Sequence, residues 1–286
     1  MSLPPARYSF GGDEHIFVEL NHEMSLEAFF KGMSITNAIA QQKIVGVTEI
    51  CPANASYQVR FDPDLIAPDK LMEILKSIEI ELGDGVLELN TRIIEIPVFY
   101  NDPWTNETQQ RFRERHQDPT STDLEYGARV NGYANVDAFI AAHAASPWFV
   151  SMVGFVAGLP FMFQMVERAK QIQVPKYLRP RTDTPKLTIG HGGCFGCIYS
   201  VRGAGGYQMF GITPAPIFDP QQSLPYVKDF MVKFKPINRS AYDAALAKVQ
   251  DGSFDLRIRE VKFSLQDFIK DPSAYNQQLT ETLYGN

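Results

Sequence analysis

The residues best suited to chemistry fall between Ile189 and Thr213: His191, Cys194, Cys197, Tyr199, Tyr207, Gln208 and Thr213, set among eight glycines. Glycines this dense let backbone approach backbone, or a ligand, where a Cβ would clash. Their free N–H groups could shape a pocket for a carboxylate or an oxyanion, with Gly192 and Gly193 at its edge. Just upstream, Arg179 and Arg181 offer guanidinium forks for a carboxylate, bicarbonate or phosphoryl group. The spacing His191-x-x-Cys194-x-x-Cys197 invites a zinc reading. No second cysteine pair exists and Cys51 lies far off, so the sequence predicts buried thiols and no metal. A redox pair is no better supported, because no helix follows to lower a thiol pKa. No Gly-Lys-Ser/Thr phosphate loop follows His191-Gly192-Gly193, and neither a G-x-S-x-G elbow nor an H-E-x-x-H helix is present.

The elements that must position these residues read as strands and turns. Cys197–Tyr199 and Tyr207–Phe210 flank the loop Arg202–Gly206, which predicts the rim of a cleft on an antiparallel barrel. Residues 1–90 read as strand, helix, two strands, helix, with Ser25 as a candidate cap for a helix over 25–42 and Pro68 opening a second helix. Residues 101–146 read as a solvated helical insertion, with helices over 106–116 and 136–145. The tail after 238 reads as a helix, an extended run and a short final helix. Net charge of −6 and a pI near 5.4 speak against a nucleic-acid binder. No apolar run approaches a membrane span of about eighteen residues, and three cysteines without a signal-peptide core fit a cytoplasmic protein.

Several separate stretches resemble one family. Tyr8-x-x-x-Gly12-Asp13, the run Gly46–Ser56 and Phe61-Asp62-Pro63 resemble the KipI-type family, also called allophanate hydrolase subunit 1 or the 5-oxoprolinase B subunit. Gly154-Phe155-x-x-Gly158-x-Pro160 and Gly205-Gly206-Tyr207-Gln208-x-x-Gly211-x-Thr213 continue the match. The second half is nearest to the carboxyltransferase domain of urea carboxylase, through Lys176-Tyr177, Arg181-Thr182-Asp183-Thr184-Pro185 and the spacing of Gly190, Gly192, Gly193, Cys197 and Tyr199.

The resemblance implies an α+β chain: a ferredoxin-like domain over 1–90, a cyclophilin-like β-barrel over 91–238 with a helical insertion at 101–146, and a C-terminal extension over 239–286. It further implies a subunit of an ATP-dependent carboxylase that passes a carboxyl group to a small urea-like amide or ketone acceptor, at a site shared with a KipA-like partner. Lys176, Arg181 and His191 would hold the carboxyl group. Gly192, Gly193, Tyr199, Tyr207, Gln208 and Thr213 would frame the acceptor. Biotin or ATP-derived carboxyphosphate would come through other subunits, since the chain has no Ala-Met-Lys-Met biotinylation motif. The alternatives are a subunit of an ATP-dependent lactam or amide hydrolase, of the 5-oxoprolinase or allophanate hydrolase type, and a non-catalytic regulatory binding subunit. The chain departs from the family at Gly211-Ile212-Thr213, where a Gly-Arg-Thr is usual, and at Arg181-Thr182-Asp183-Thr184, where urea carboxylase has Arg-x-Trp-Thr. Those losses of polar anchors fit a less polar acceptor or a structural subunit.

Overall fold

The computed structural model describes residues 3–83, 88–221 and 230–285. Contacts divide the chain into two compact units, Met1–Leu89 with Phe263–Ile269, and Asn90–Lys262 with Lys270–Asn286. The segment 239–286 is thus shared between the two. Among the described residues no helix is long and apolar enough to cross a membrane.

In the first unit β1 (Arg7–Phe10), β2 (His15–Glu19), β3 (Val47–Ala53) and β4 (Ser56–Phe61) form an antiparallel sheet in the order β1-β2-β4-β3. Helices α1 (Leu26–Gln42) and α2 (Pro68–Leu82) supply the rest of its core. Ser25 caps α1 as expected, its Oγ accepting from the Ala28 N–H at 3.1 Å. Alternation in β2 and β4 turns Ile16, Val18, Tyr57, Val59 and Phe61 inward, where they meet Ile35 and Ile39 of α1 and Leu71, Leu75 and Ile78 of α2.

The second unit opens with β5 (Glu88–Tyr100), followed by helices α3 (Pro103–Arg111), α4 (Asp123–Val130) and α5 (Val136–Ala145). Strands β6 (Trp148–Val153), β7 (Pro160–Gln164), β8 (Arg181–Thr184), β9 (Thr188–Gly192), β10 (Phe195–Ile198), β11 (Gly203–Gly205), β12 (Gln208–Ile212) and β13 (Phe230–Pro236) come next. The chain ends in α6 (Arg239–Asp251), β14 (Ile258–Ser264), α7 (Leu265–Lys270), which lies in the first unit, and α8 (Pro272–Tyr284). The large sheet runs β12-β9-β10-β7-β6-β13-β5-β14, and β12 also pairs with β5 through Gly211↔Tyr100 and Ile212↔Phe99. β8 and β11 pair separately.

The segment 101–146 is not merely a solvated insertion: it has exposed faces but also contributes to the core. Leu124, Phe139 and Ala144 join the core of the second unit, and Asp102, Thr105, Gln109, His116, Asp123 and His143 are buried. Polar side chains sit inside because each finds a partner. Gln109 donates to the Met209 carbonyl and accepts from the Asp123 N–H at 3.0 and 3.1 Å. Asp102 caps α3 through the N–H groups of Trp104 and Thr105.

Candidate active site

Two faces of β9 and β10 carry different chemistry, because side chains alternate across a strand. On one face Ile189 and Ile198 enter the core, and His191 joins them. Its ring stacks on Phe210 at 5.8 Å and meets Trp148 edge-on, and its Nε2 lies 3.1 Å from the Ile172 carbonyl. Burial lowers its pKa to about 4. The opposite face carries Gly190, Gly192 and Cys197. A Cβ on Gly190 would fall 2.8 Å from the Tyr199 ring, and one on Gly192 would fall 2.4 Å from the Tyr207 ring. One on Gly205 would come within 2.3 Å of the Tyr199 hydroxyl. These glycines therefore seat two tyrosine rings, and the expected pocket of bare main chain is filled by them.

On that face lies a cavity of about 420 Å³ whose walls are Phe155, Leu159, Phe161, Pro180, Tyr199 and Tyr207, with Cys197 behind. Lys176 is the charged residue of its lining, its Nζ 5.2 Å from the centroid of the Tyr207 ring. Phe161 meets Tyr207 edge-on at 5.9 Å. Phe155 stands at the cavity with φ +68° and is 68% exposed. Burial pushes the Cys197 thiol and the Tyr199 and Tyr207 hydroxyls well above their usual values, so all three are neutral at pH 7. The charge of Arg181 opposes the shift at Cys197 and Tyr199 without overcoming it.

Arg181 lies behind this wall. It follows the cavity residue Pro180 and pairs across the ladder with Gly205. Its side chain is 0% exposed, with the guanidinium carbon 4.4 Å from the centroid of the Tyr177 ring. Nη2 donates to Thr184 Oγ1 at 3.3 Å, and the guanidinium also interacts with the Tyr199 hydroxyl at the cavity wall. Charge balance comes through Tyr177, whose hydroxyl donates to Asp123 at 2.7 Å. Asp123 also accepts from the Met209 N–H at 2.7 Å, and desolvation raises its pKa despite these bonds. His116 adjoins Asp123 at 3.7 Å and lies 2.8 Å from the Gln208 amide oxygen; the Gln208 Nε2 donates to the Pro175 carbonyl. Pro175 to Tyr177 is thus pinned from beneath, which fixes where Lys176 projects.

Of the residues expected at the site, Lys176, Tyr199 and Tyr207 line the cavity and Arg181 underlies it. His191, Gln208, Gly192, Gly193 and Thr213 are absent from the lining. Gly193 pairs with Val174, and Thr213 is buried with its Oγ1 accepting from the Ala215 N–H. His191 and Cys197 point to opposite faces, and no group of three or more potential ligands among the described residues could hold a metal. His116, Asp123 and Phe155 carry weight that the sequence reading missed. The capping pattern Thr122-x-x-Glu125, which places Asp123 at the start of α4, was the available signal.

A model of the carboxyltransferase domain, subdomain C and D, matches residues 6–228. The chain belongs to that family. This bears out the resemblance to the KipI-type and urea carboxylase proteins. The carboxyltransferase-like chain is 24% identical to urea amidolyase of Saccharomyces cerevisiae over 97% of its own length and 16% of that protein. It is 26% identical to the 5-oxoprolinase B subunit of Bacillus subtilis, covering 82% of itself and 93% of the relative. The crystal structure of Kluyveromyces lactis urea carboxylase superposes with a TM-score of 0.82 at 20% identity, over 98% of this chain and 26% of that one. The family member described here thus spans about a sixth of the urea amidolyase it matches, and it shares the mixed α+β fold of the urea carboxylase structure.

Proposed function

We propose that the chain supplies the carboxyl-holding half of a carboxyltransferase site, within an ATP-dependent carboxylase whose other half is a KipA-like partner. The observation that carries this reading is Arg181: a fully buried guanidinium with no carboxylate bonded directly to it among the described residues, set behind a cavity that Lys176 borders. Burying a cation without a directly bonded carboxylate is costly, and an incoming anion would relieve that cost. Lys176 would draw the carboxyl group in and Arg181 would set the field in which its charge develops. Biotin or carboxyphosphate would arrive on other subunits, and Tyr199 and Tyr207 would frame the acceptor. The finer fold names belong to the same proposal. Support for a cyclophilin-like barrel comes from the β12–β5 pairing, which joins two distant strands of the large sheet. For a ferredoxin-like unit it comes from β1, which sits beside β2 where a closing fourth strand would lie.

The test is co-expression with a KipA-like subunit and the remaining carboxylase components, followed by transfer of labelled bicarbonate to candidate acceptors. Lys176→Ala and Arg181→Ala should each lower transfer at least tenfold while the complex still assembles. Undiminished transfer in both variants would refute the assignment. The likeness to the 5-oxoprolinase B subunit over 93% of that relative favours one second reading, a lactam-opening role. Turnover of 5-oxoproline by the same assembly, with no label transferred, would establish it instead.

A further inference from the structure

The cavity beside Lys176 is unusual for a site that handles only small polar molecules. Four aromatic rings, Phe155, Phe161, Tyr199 and Tyr207, surround about 420 Å³, and Leu159 and Pro180 complete an apolar wall. Bicarbonate or urea would leave most of those rings in contact with water. A flat apolar body would cover them. At one side stands a single ammonium, 5.2 Å from the centroid of the Tyr207 ring. Cys197, Tyr199 and Tyr207 present neutral groups, so nothing in the lining repels an anion. Phe155 is held open to solvent in a left-handed backbone conformation that non-glycine residues seldom adopt. Its frame is fixed: the Gly154 N–H donates to the Leu159 carbonyl at 3.0 Å and Ser200 Oγ to the Ala157 carbonyl at 2.6 Å. A Cβ on Gly158 would strike the Phe218 ring at 2.4 Å. An exposed aromatic on so constrained a loop fits a role at the cavity mouth.

We infer that the cavity selects a planar, largely apolar molecule bearing one negative charge, with its ring among Phe155, Phe161 and Tyr207 and its anionic end at Lys176. This rests on the reading of the cavity as part of the proposed carboxyltransferase site, with the carboxyl group at Lys176 and the acceptor against Tyr199 and Tyr207, and adds the class of carboxylated product. Aromatic monocarboxylates are the simplest members.

Titration of the full chain by ligand-observed NMR with benzoate, benzamide and acetate tests it. Benzoate should bind roughly tenfold or more tightly than acetate, from the area of ring buried, and several-fold more tightly than neutral benzamide. Lys176→Met should erase the difference between benzoate and benzamide. Phe155→Ala should shrink the preference for benzoate over acetate while leaving the preference for charge. Both side chains are solvent-facing, so the variants should keep the wild-type circular dichroism; Lys176→Gln and Phe155→Leu serve if either does not. Equal affinity for benzoate and acetate, or no saturable benzoate binding, overturns the inference. If benzoate discrimination fails while Lys176→Ala still abolishes carboxyl transfer, the site stands and the ligand class falls. If benzoate binds as expected but transfer ignores both Lys176 and Arg181, the proposed function falls instead.

Discussion

Arg181 separates a structural from a functional account of the site. For stability alone a buried guanidinium is a poor choice, because desolvation offsets what its few contacts return. Here those contacts are a hydrogen bond to Thr184, the face of Tyr177, the Tyr199 hydroxyl and the charge of Asp123 close by. Arg181→Met would retain much of the volume and a favourable sulfur–aromatic contact while removing the desolvated charge. Its unfolding free energy from urea denaturation should be no more than about 1 kcal/mol below that of the wild type, whereas carboxyl transfer by the assembled complex should be lost. A clear fall in stability would mean that Arg181 is retained to hold Tyr177 and Asp123 in place. The residue was legible from its fork-shaped chemistry beside a glycine-rich run. His191 was misplaced for an equally local reason. It lies between Gly190 and Gly192, so period-two alternation sends its ring to the face opposite the one those glycines leave open.

At the scale of elements, the strand pair β5–β12 depends on Gly211. A Cβ there would fall 2.6 Å from the Phe99 carbonyl oxygen and 2.9 Å from Tyr100 Cα, both backbone atoms that no rotamer change can move aside. Gly211→Ala should therefore push the two strands apart and cost about 2–3 kcal/mol in chemical denaturation. Gly193→Ala is the control. Its surroundings are open, and only its φ of +61° resists a side chain, at about 1 kcal/mol. Equal costs for the two would mean that the β5–β12 contact relaxes freely. Helices announced by an apolar stripe or a cap, such as α1 and α5, could be read from the sequence. Both α4 and α8 carry caps but no broad apolar stripe, and they escaped the sequence reading. The first has only eight residues and is held by the Thr122–Glu125 capping box, and the second buries only Leu279 and Leu283. The same blindness to satisfied polar groups made 101–146 read as solvated, although Gln109 and Asp123 are bonded inside the unit.

Across the second unit as a whole, buried titratable groups set how stability responds to acid. His143 and His191 are fully buried, and desolvation depresses both pKa values, that of His191 to about 4. The His143 Nδ1 is engaged by the Tyr100 hydroxyl at 2.9 Å, and aromatic rings pack around both imidazoles. Once the chain unfolds these groups titrate near their ordinary value of 6.5. Below that pH the unfolded state binds more protons than the folded one, so stability falls as pH drops from about 6.5 towards 4. His191 alone should account for about 3 kcal/mol over that window. Asp102 and Asp123 act in the opposite sense, because desolvation raises their pKa values and the folded state then takes up protons first. The net slope therefore mixes both signs, and a variant must isolate the histidine. His191→Gln can keep a donor for the Ile172 carbonyl and removes the titration. Between pH 7.5 and 4.5 it should lose about 2–3 kcal/mol less stability than the wild type, measured by urea denaturation at each pH. An unchanged slope would leave the acid sensitivity to His143 and to carboxylates held below their usual range, such as Asp118 and Asp183, and His191 would then have to be charged in the folded protein despite its aromatic surroundings.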